Sequence, residues 1–253
     1  MSHPLPLTGE RTLPGVPGEE YWFARHEAAY AWLVDALAAR IRGAAVVEAG
    51  SGEGYGAAML RAAGARTVVA LEYDDASAGH ARAAYPDVGT VRANLALMPV
   101  GDATADVLVT LQVVEHLWDL RGFVRDCARV LTPGGILVVT TPNRPVFSPG
   151  LGRGEKPTNP FHVEELDAEQ LSELLAEAGF CDVVVRGLHH GERIEAWEAE
   201  LGTGIVAAQV AAVLGSHDVP DHLKAFVASV TAADFAIRGH DHAQDLVALA
   251  VRP

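Results

Sequence analysis

The segment from Val46 to Gly56 contains the residues whose types and spacing most directly indicate a binding site. An apolar run ends in Glu48, and four glycines follow at every second position from Gly50 to Gly56. A helix-forming run comes next, so we expect a strand, a tight turn and a helix N-terminus. Glycine permits positive φ and a close approach of ligand to backbone, and the first N–H groups of a helix can bind that ligand. The segment predicts a site for a nucleotide-type cofactor.

The spacing of the glycines distinguishes between cofactor classes. A dinucleotide fingerprint reads G-x-G-x-x-G, but the sixth residue counted from Gly50 is Tyr55. The pattern here is instead acid-x-G-x-G-x-G, from Glu48 to Gly54. An acid at the end of the strand suits a ligand that carries an ammonium group.

Strand and helix patterns alternate along the chain, which predicts the elements that position these residues. The expected fold is α/β, a Rossmann-like doubly wound sheet of seven strands that is parallel at its centre. Ligands in such sheets bind beyond the carboxyl ends of the strands. Gly50, Glu72, Asn94 and Glu115 all fall at those ends. Glu72 lies twenty-two positions after Gly50, where an acid can accept both hydroxyls of a ribose.

Two segments lie outside this alternating pattern of strands and helices, one at the N-terminus and one before the last strand. Residues 1–19 are rich in Pro, Gly and Thr and are expected to form an extended arm. Residues 20–253 are expected to form one domain. A helical insertion at about 189–240 precedes the last strand, and we expect it to form a substrate lid, a homodimer surface or both.

The first predicted helix begins at about residue 20 and is unusually aromatic near its start, with Tyr21, Trp22 and Phe23. One interpretation is that these side chains anchor the helix on the sheet. The other is that the segment closes over the cofactor, with Arg25 or His26 meeting a carboxylate of the ligand. Arginine suits that role because its guanidinium binds a carboxylate through two hydrogen bonds.

The composition excludes several classes of partner. The formal net charge is −14, whereas a nucleic-acid-binding protein or one that docks on anionic lipid needs a basic face. The N-terminus lacks the basic start and apolar core of a signal peptide, and no apolar run approaches the length of a membrane span. We therefore expect a cytoplasmic protein with no nucleic acid or membrane partner.

Taken together, the motifs resemble those of the class I S-adenosylmethionine (SAM) methyltransferases. The resemblance rests on Glu48–Gly54, Glu72, Asn94-Leu95, Glu115-His116-Leu117 and the turn Val130–Gly135 before the fifth strand. It implies SAM as the cofactor, with adenine held by Asn94 and Leu95. The cofactor-binding residues expected on this basis are Tyr21, Arg25, His26, Glu48, Gly50, Ser51, Gly52, Tyr55, Glu72, Tyr73, Asn94, Leu95 and Gln112.

A narrower resemblance covers nearly the whole chain and concerns the mycobacterial sugar O-methyltransferases of intracellular polymethylated polysaccharides. It rests on segments 7–12, 21–26, 112–119, 147–150, 159–162 and 231–235. The nearest group comprises the 1-O-methyltransferases of 3-O-methylmannose polysaccharide synthesis, which implies a short methylated oligosaccharide as acceptor. The methyltransferases of the methylglucose lipopolysaccharide pathway, acting at 6-O or another hydroxyl, are the alternative.

The pair Glu115-His116 is the best candidate for acceptor chemistry. A sugar hydroxyl is a poor nucleophile, so a general base or a metal should assist its methylation. A Glu-His step also occurs in ubiquinone-pathway O-methyltransferases, where it belongs to a metal site with a further acid three places earlier. Here that place is Gln112. Two roles are open: His116 acts as the base, or Glu115 and His116 bind Mg²⁺. A third interpretation is that the pair only caps the following helix.

Other candidates for the acceptor pocket are Trp118, as an aromatic platform, and Arg144, His162 and His189. Two further functions compete with sugar methylation. One is methylation of a phenol or quinone hydroxyl, and the other is a SAM-binding scaffold without catalysis.

Overall fold

The computed structural model describes residues 12–214 and 219–253, and one mixed sheet runs through the centre of this part of the chain. Its strands are β1 (Ala45–Ala49), β2 (Thr67–Glu72), β3 (Gly89–Arg92), β4 (Ala105–Leu111), β5 (Leu131–Pro142), β6 (Cys181–His190), β7 (Phe235–Arg238) and β8 (Asp245–Val251). Of the predicted N-terminal arm, residues 1–11 lie outside the described residues, and residues 12–19 lead into the first helix.

The helices flank this sheet and connect its strands. They are α1 (Glu20–Ala36), α2 (Ala38–Ile41), α3 (Tyr55–Ala62), α4 (Asp75–Ala84), α5 (Leu120–Val130), α6 (Arg144–Phe147), α7 (Ala168–Glu177), α8 (Glu192–Leu201), α9 (Ile205–Leu214) and α10 (Asp221–Val227). Two 3₁₀ turns lie at Val114–His116 and Ala232–Asp234. None of the helices within the described ranges is long and apolar enough to cross a membrane.

The sheet follows the order β3-β2-β1-β4-β5-β8-β6-β7. Strands β1 to β5 are parallel, while β8 runs antiparallel to both β5 and β6. This confirms the predicted Rossmann-like α/β fold. The strand order reverses between β1 and β4, and the carboxyl ends of these strands form the edge at which ligands bind in such sheets.

Successive side chains of the central strands point to opposite faces of the sheet, so the hydrophobic core covers both faces. Leu108 of β4 packs in a cluster with residues of α5 and α7, whereas Val107 and Val109 pack in a second cluster with residues of α1 and α3. A third cluster joins the start of α1 to the insertion and includes Tyr21 and Leu223. The insertion is thus attached to the first helix through apolar contacts.

In the described part of the chain the sheet has eight strands, one more than the seven predicted. The additional strand, β7, lies within the expected helical insertion and pairs with Gly187–His190 of β6. Its four residues are too few to carry a recognisable period, so its strand geometry depends on β6 rather than on its own sequence. The pairing with β7 uses the last residues of β6, which runs over ten residues.

Candidate active site

A cleft of about 480 Å³ opens at the carboxyl ends of β1, β2 and β4. Its lining combines the expected glycine turn with residues that follow the neighbouring strands. The lining residues are Gly50, Gly52, Glu72, Tyr73, Asn94, Leu95, Gln112, Val113, His116, Leu117 and Phe161. The structure thus brings eight of the sequence-predicted site residues together at one edge of the sheet.

The glycine turn needs glycine for two different reasons. Gly50, Gly52 and Gly54 all have positive φ, a conformation that other residues rarely adopt. A Cβ atom on Gly50 would also lie 2.4 Å from a methyl carbon of Val113, so that position has no space for a side chain. The turn therefore holds the backbone against the segment that follows β4 and leaves the cleft open.

Glu72 connects the turn to the end of β2. One carboxylate oxygen accepts a hydrogen bond from the Gly52 N–H at 2.7 Å, and the other accepts from the Asp74 N–H at 2.8 Å. Each carboxylate oxygen can accept more than one hydrogen bond. This arrangement fixes the orientation of the Glu72 carboxylate where it lines the cleft.

Asn94 and Leu95 line the cleft beyond β3. The Asn94 side-chain oxygen accepts a hydrogen bond from the Ala96 N–H at 2.9 Å, which fixes the orientation of the amide. Leu95 is buried, and Tyr73 beside Glu72 is largely exposed. A flat apolar ring with a polar edge would pack against Leu95 and hydrogen-bond to Asn94 in this part of the cleft.

Glu48 does not line the cleft. Its carboxyl is fully buried, the Tyr30 hydroxyl donates to it, and burial raises its pKa to about 8. A carboxyl that is largely protonated at neutral pH and has no access to the cleft is not available to pair with a ligand ammonium. In the structure Glu48 is thus a buried support of the glycine turn that accepts a hydrogen bond from Tyr30.

The aromatic start of α1 also lies outside the cleft. Tyr21 is fully buried, with its hydroxyl 2.7 Å from Nε2 of His190. Arg25 is 3% exposed and donates two hydrogen bonds to Asp245 at the start of β8. A buried guanidinium needs a counterion, and Asp245 supplies it. Tyr21 and Arg25 thus anchor the helix on the sheet, and neither lines the cleft.

His26 and Tyr55 form a polar cluster with Thr12, and Ser51 lies within the glycine turn. The Tyr55 hydroxyl lies 3.2 Å from Oγ1 of Thr12 and 3.4 Å from Nδ1 of His26. Burial, reinforced by Arg25, lowers the pKa of His26 to about 3, so its imidazole is neutral and offers no positive charge to a carboxylate. Ser51 is buried, and its hydroxyl has no hydrogen-bond partner among the described residues.

The pair predicted to act on the acceptor follows β4. Gln112 adopts a φ of 55° and donates to the Thr140 hydroxyl at 3.2 Å, and the chain then turns through Val114–His116. Glu115 is 1% exposed and accepts a hydrogen bond from the Thr141 hydroxyl at 3.1 Å. Burial raises the pKa of Glu115. The carboxyl is therefore held rigidly beneath the cleft.

His116 is partly exposed and borders the cleft. Its Nδ1 lies 3.1 Å from the Phe161 carbonyl oxygen, and since a carbonyl only accepts, Nδ1 carries the proton. In the neutral ring Nε2 is then the basic nitrogen, and it lies 3.9 Å from a carboxylate oxygen of Glu115. This geometry fits a proton acceptor whose charged form is stabilised by a nearby carboxylate.

His162 joins this pair from a distant part of the sequence. Its ring centroid lies 5.1 Å from that of His116, and its Nδ1 lies 2.7 Å from a carboxylate oxygen of Glu165. One ligand atom from each of Glu115, His116 and His162 lies within 4.8 Å of the others. Sequence reasoning named His162 only as an acceptor-pocket candidate, and it missed Glu165, Val113, Leu117 and Phe161, because no periodic pattern connects these loops.

The remaining predicted acceptor residues lie outside the cleft. Trp118 is 92% exposed and follows Leu117, so its ring stands at the surface beside the opening. Arg144 binds Asp167 and Gln170, which secures the chain after β5 to the start of α7. His189 lies 2.6 Å from the Gly239 carbonyl oxygen, between β6 and the segment after β7. The contacts of Arg144 and His189 support the fold.

Comparisons with known proteins identify a family and several relatives of this chain. Residues 47–139 match the family model described as methyltransferase domain. A probable S-adenosylmethionine-dependent methyltransferase of Mycobacterium tuberculosis is 48% identical over 255 residues, covering 98% of this chain and 90% of that protein. A ubiquinone biosynthesis O-methyltransferase of a Caulobacter species is 46% identical, but over only 48 residues, 19% of each chain.

Solved structures agree on the fold alone. A SAM-dependent methyltransferase of Thermotoga maritima superposes with a TM-score of 0.61 at 19% identity, covering 92% of this chain and 94% of that one.

Proposed function

This chain belongs to the S-adenosylmethionine-dependent methyltransferases, and on that basis we propose that it methylates a hydroxyl group of a sugar. The proposed acceptor is a short oligosaccharide precursor of a polymethylated polysaccharide, with the anomeric 1-OH of a 3-O-methylmannoside as the preferred site. The anomeric hydroxyl is the most acidic of the sugar hydroxyls, so its methylation is chemically the least demanding.

The observation that carries this proposal is the position of His116 at the cleft, with its proton on Nδ1 and its basic Nε2 beside Glu115. When bound, the cofactor supplies an electrophilic methyl group on a sulfonium. As the acceptor oxygen bonds to that methyl carbon, the methyl–sulfur bond would break, S-adenosylhomocysteine would leave, and the hydroxyl must lose its proton. Nε2 of His116 takes the proton, and Glu115 stabilises the resulting imidazolium.

Glu72, Asn94 and Leu95 are proposed to hold the adenosine end of the cofactor. The two carboxylate oxygens of Glu72 take the ribose hydroxyls, and the Asn94 amide bonds to the edge of the adenine ring. Calorimetry with S-adenosylhomocysteine should show at least about tenfold weaker binding for Glu72→Ala than for the wild type, since a hydrogen bond to a charged group contributes about 1.5–3 kcal/mol. Asp75→Ala, at an exposed acid nearby, is the matched control. Undiminished binding by Glu72→Ala would mean that the ribose site lies elsewhere.

The acceptor is tested by transfer of a radiolabelled methyl group from SAM to a panel of short 3-O-methylmannosides and glucosides. We expect labelled product with the mannosides, and greatly reduced transfer by His116→Gln. Absence of transfer to every glycan in the panel would overturn the sugar proposal.

A second candidate function is methylation of a phenol or quinone hydroxyl. It is favoured by the 48-residue similarity to a ubiquinone biosynthesis O-methyltransferase. The same assay with catechols and hydroxyquinones in place of sugars separates the two candidates, because a phenol-specific enzyme would label only those acceptors.

The sequence also raised Mg²⁺ as an activator at Glu115 and His116. A cation bound there would lower the pKa of a coordinated hydroxyl and so replace the need for a free base. The transfer assay run with and without EDTA distinguishes these routes, and transfer unaffected by EDTA would exclude a metal requirement.

A further inference from the structure

We propose that Phe161 and Leu117 are specificity-determining residues of the cleft. They form an apolar wall that favours a sugar carrying an O-methyl group over the same sugar with a free hydroxyl. The inference rests on the proposed function, because it concerns the acceptor of the same methyl transfer. Its test compares two acceptors that differ by one methyl group, so its failure can be told apart from a failure of the proposed function.

The two sides of the cleft differ in polarity. The side that follows β2 and β3 carries the Glu72 carboxylate and the Asn94 amide. Five lining residues come instead from the segment after β4 and the loop after β5, and we call them the acceptor side: Gln112, Val113, His116, Leu117 and Phe161. Three of these five side chains are apolar, and the Gln112 amide nitrogen already donates to the Thr140 hydroxyl at 3.2 Å. Apart from His116 and the Gln112 amide oxygen, the acceptor side thus offers apolar side chains to a sugar.

Hydrogen bonds hold the backbone of Phe161 beside His116. The Phe161 N–H donates to the Asn159 side-chain oxygen at 3.0 Å, and the Phe161 carbonyl accepts from Nδ1 of His116 at 3.1 Å. Two residues further on, the Val163 N–H donates to the Glu115 carbonyl oxygen at 2.7 Å. The loop therefore places Phe161 next to the proposed base, and 56% of the surface of Phe161 is exposed for an acceptor to cover.

Leu117 reaches the same part of the cleft from the end of β4. It follows His116 directly, and its N–H donates to the Val114 carbonyl oxygen at 3.3 Å. Its side chain is partly buried against the core cluster that contains Val114. Leu117 is thus anchored in the fold while it lines the cleft.

An apolar wall distinguishes a methyl ether from a hydroxyl group. A hydroxyl that leaves water without gaining a hydrogen-bond partner carries a cost in free energy, whereas a methyl group is stabilised by leaving water. A methyl ether also has no O–H that needs an acceptor. Phe161 and Leu117 therefore favour a sugar that is methylated at the oxygen facing them, and the proposed 3-O-methylmannoside carries such a group.

The competing explanation is that Phe161 and Leu117 only support His116. Loss of a supporting residue would slow transfer to every sugar by the same factor, because all of them use the same base. Loss of an apolar wall would instead change the ratio of the kcat/KM values for a methylated and an unmethylated sugar. This ratio separates the two explanations.

The experiment measures transfer of a labelled methyl group from SAM to a mannoside and to its 3-O-methyl derivative. We expect the wild type to prefer the methylated sugar by at least about tenfold in kcat/KM, which is typical for one carbon atom in an apolar pocket. Phe161→Ala and Leu117→Ala should each lower this ratio by about threefold or more, because one buried methyl group contributes about a factor of four. The double variant should lower it further.

Conservative variants and a distant variant serve as controls. Phe161→Tyr keeps the ring and Leu117→Met keeps the apolar volume, so both should retain the preference for the methylated sugar. Leu201→Ala, at an exposed leucine of α8 that does not line the cleft, should behave as the wild type. Calorimetry with S-adenosylhomocysteine establishes that Phe161→Ala and Leu117→Ala are folded.

Two results would overturn this inference while transfer to mannosides still supports the proposed function. One is equal use of both sugars by the wild type, and the other is an unchanged ratio in folded Phe161→Ala and Leu117→Ala. Absence of transfer to either sugar and to every other glycan would overturn the proposed function, and this inference with it.

Discussion

Arg25 in the first helix and Asp245 in the last strand form a buried ion pair, 220 positions apart in the sequence, with Nε 2.6 Å from a carboxylate oxygen. The guanidinium also lies 4.6 Å from the ring centroid of Phe147. The pair connects α1 to β8 next to Thr141 and Glu115, because β8 begins opposite the end of β5. It therefore helps to fix the end of β5, whose Thr141 donates a hydrogen bond to Glu115.

Arg25→Met should lower the free energy of unfolding by about 3–5 kcal/mol, because it leaves Asp245 as an uncompensated buried charge. Arg121→Met, which breaks an exposed ion pair with Glu177, is the matched control and should change stability by less than about 1 kcal/mol. Urea denaturation measures both. If Arg25 instead binds the cofactor carboxylate, its replacement would weaken S-adenosylhomocysteine binding while leaving the unfolding curve unchanged.

Glu48 should make stability depend on pH. A carboxyl whose pKa is raised to about 8 in the folded chain, from 4.5, stabilises the fold below the lower value and loses that contribution as the pH rises through the higher one. The stability of the wild type relative to Glu48→Gln should therefore fall between pH 4.5 and pH 8. Urea denaturation across this range measures it, with Glu177→Gln as a control at an exposed carboxyl. Parallel curves for Glu48→Gln and wild type would contradict the burial argument.

Replacing Gly56 by alanine and replacing Gly79 by alanine should change the stability of the fold in opposite directions. A Cβ atom on Gly56 would lie 2.2 Å from the Tyr30 ring, and displacing that ring also disturbs its hydrogen bond to Glu48, so Gly56→Ala should destabilise the chain. Gly79, inside α4, has nothing within 4 Å of the same atom, and Gly79→Ala should stabilise by about 0.5–1 kcal/mol. Thermal unfolding of the two variants compares them directly, and equal shifts in Tm would show that the contact with Tyr30 is unimportant.

Trp118 should affect the acceptor without affecting the fold. With 92% of its surface exposed, its removal costs little stability, but an aromatic platform contributes about 0.5–1.5 kcal/mol to binding. Trp118→Ala should therefore raise KM for the sugar acceptor by roughly 2- to 10-fold with kcat nearly unchanged. Leu97→Ala, at another exposed apolar residue, is the control. An unchanged KM would remove Trp118 from the acceptor site.

It could be predicted from sequence that the glycine turn and the residues after the neighbouring strands lie together at one cleft, because their determinants are local. The glycine turn needs positive φ at Gly50, Gly52 and Gly54. Glycine adopts such φ values readily, so the residue type alone indicates the turn. Glu72 and Asn94 come directly after strands whose apolar pattern is visible in the chain. Parallel strands bring such ends together in any fold of this class.

Burial decided the position of other predicted site residues. Glu48 and Arg25 carry side chains that could bind a zwitterionic ligand, but the structure pairs them with Tyr30 and Asp245 and removes them from the cleft. Whether a charged residue faces a ligand or a buried partner depends on packing between distant elements, which the residue type does not report.

The sequence by itself determined the fold class, the glycine turn and the order of polar strand ends, since each depends on a few neighbouring residues and on backbone geometry. Only the tertiary structure decided that His162 and Glu165 join Glu115 and His116, and that β7 completes the edge of the sheet. These relationships arise when a loop or a short strand docks on a surface made elsewhere in the chain. The docked loop or strand is stabilised by its contacts with that surface. A local pattern of residues therefore does not predict where it lies.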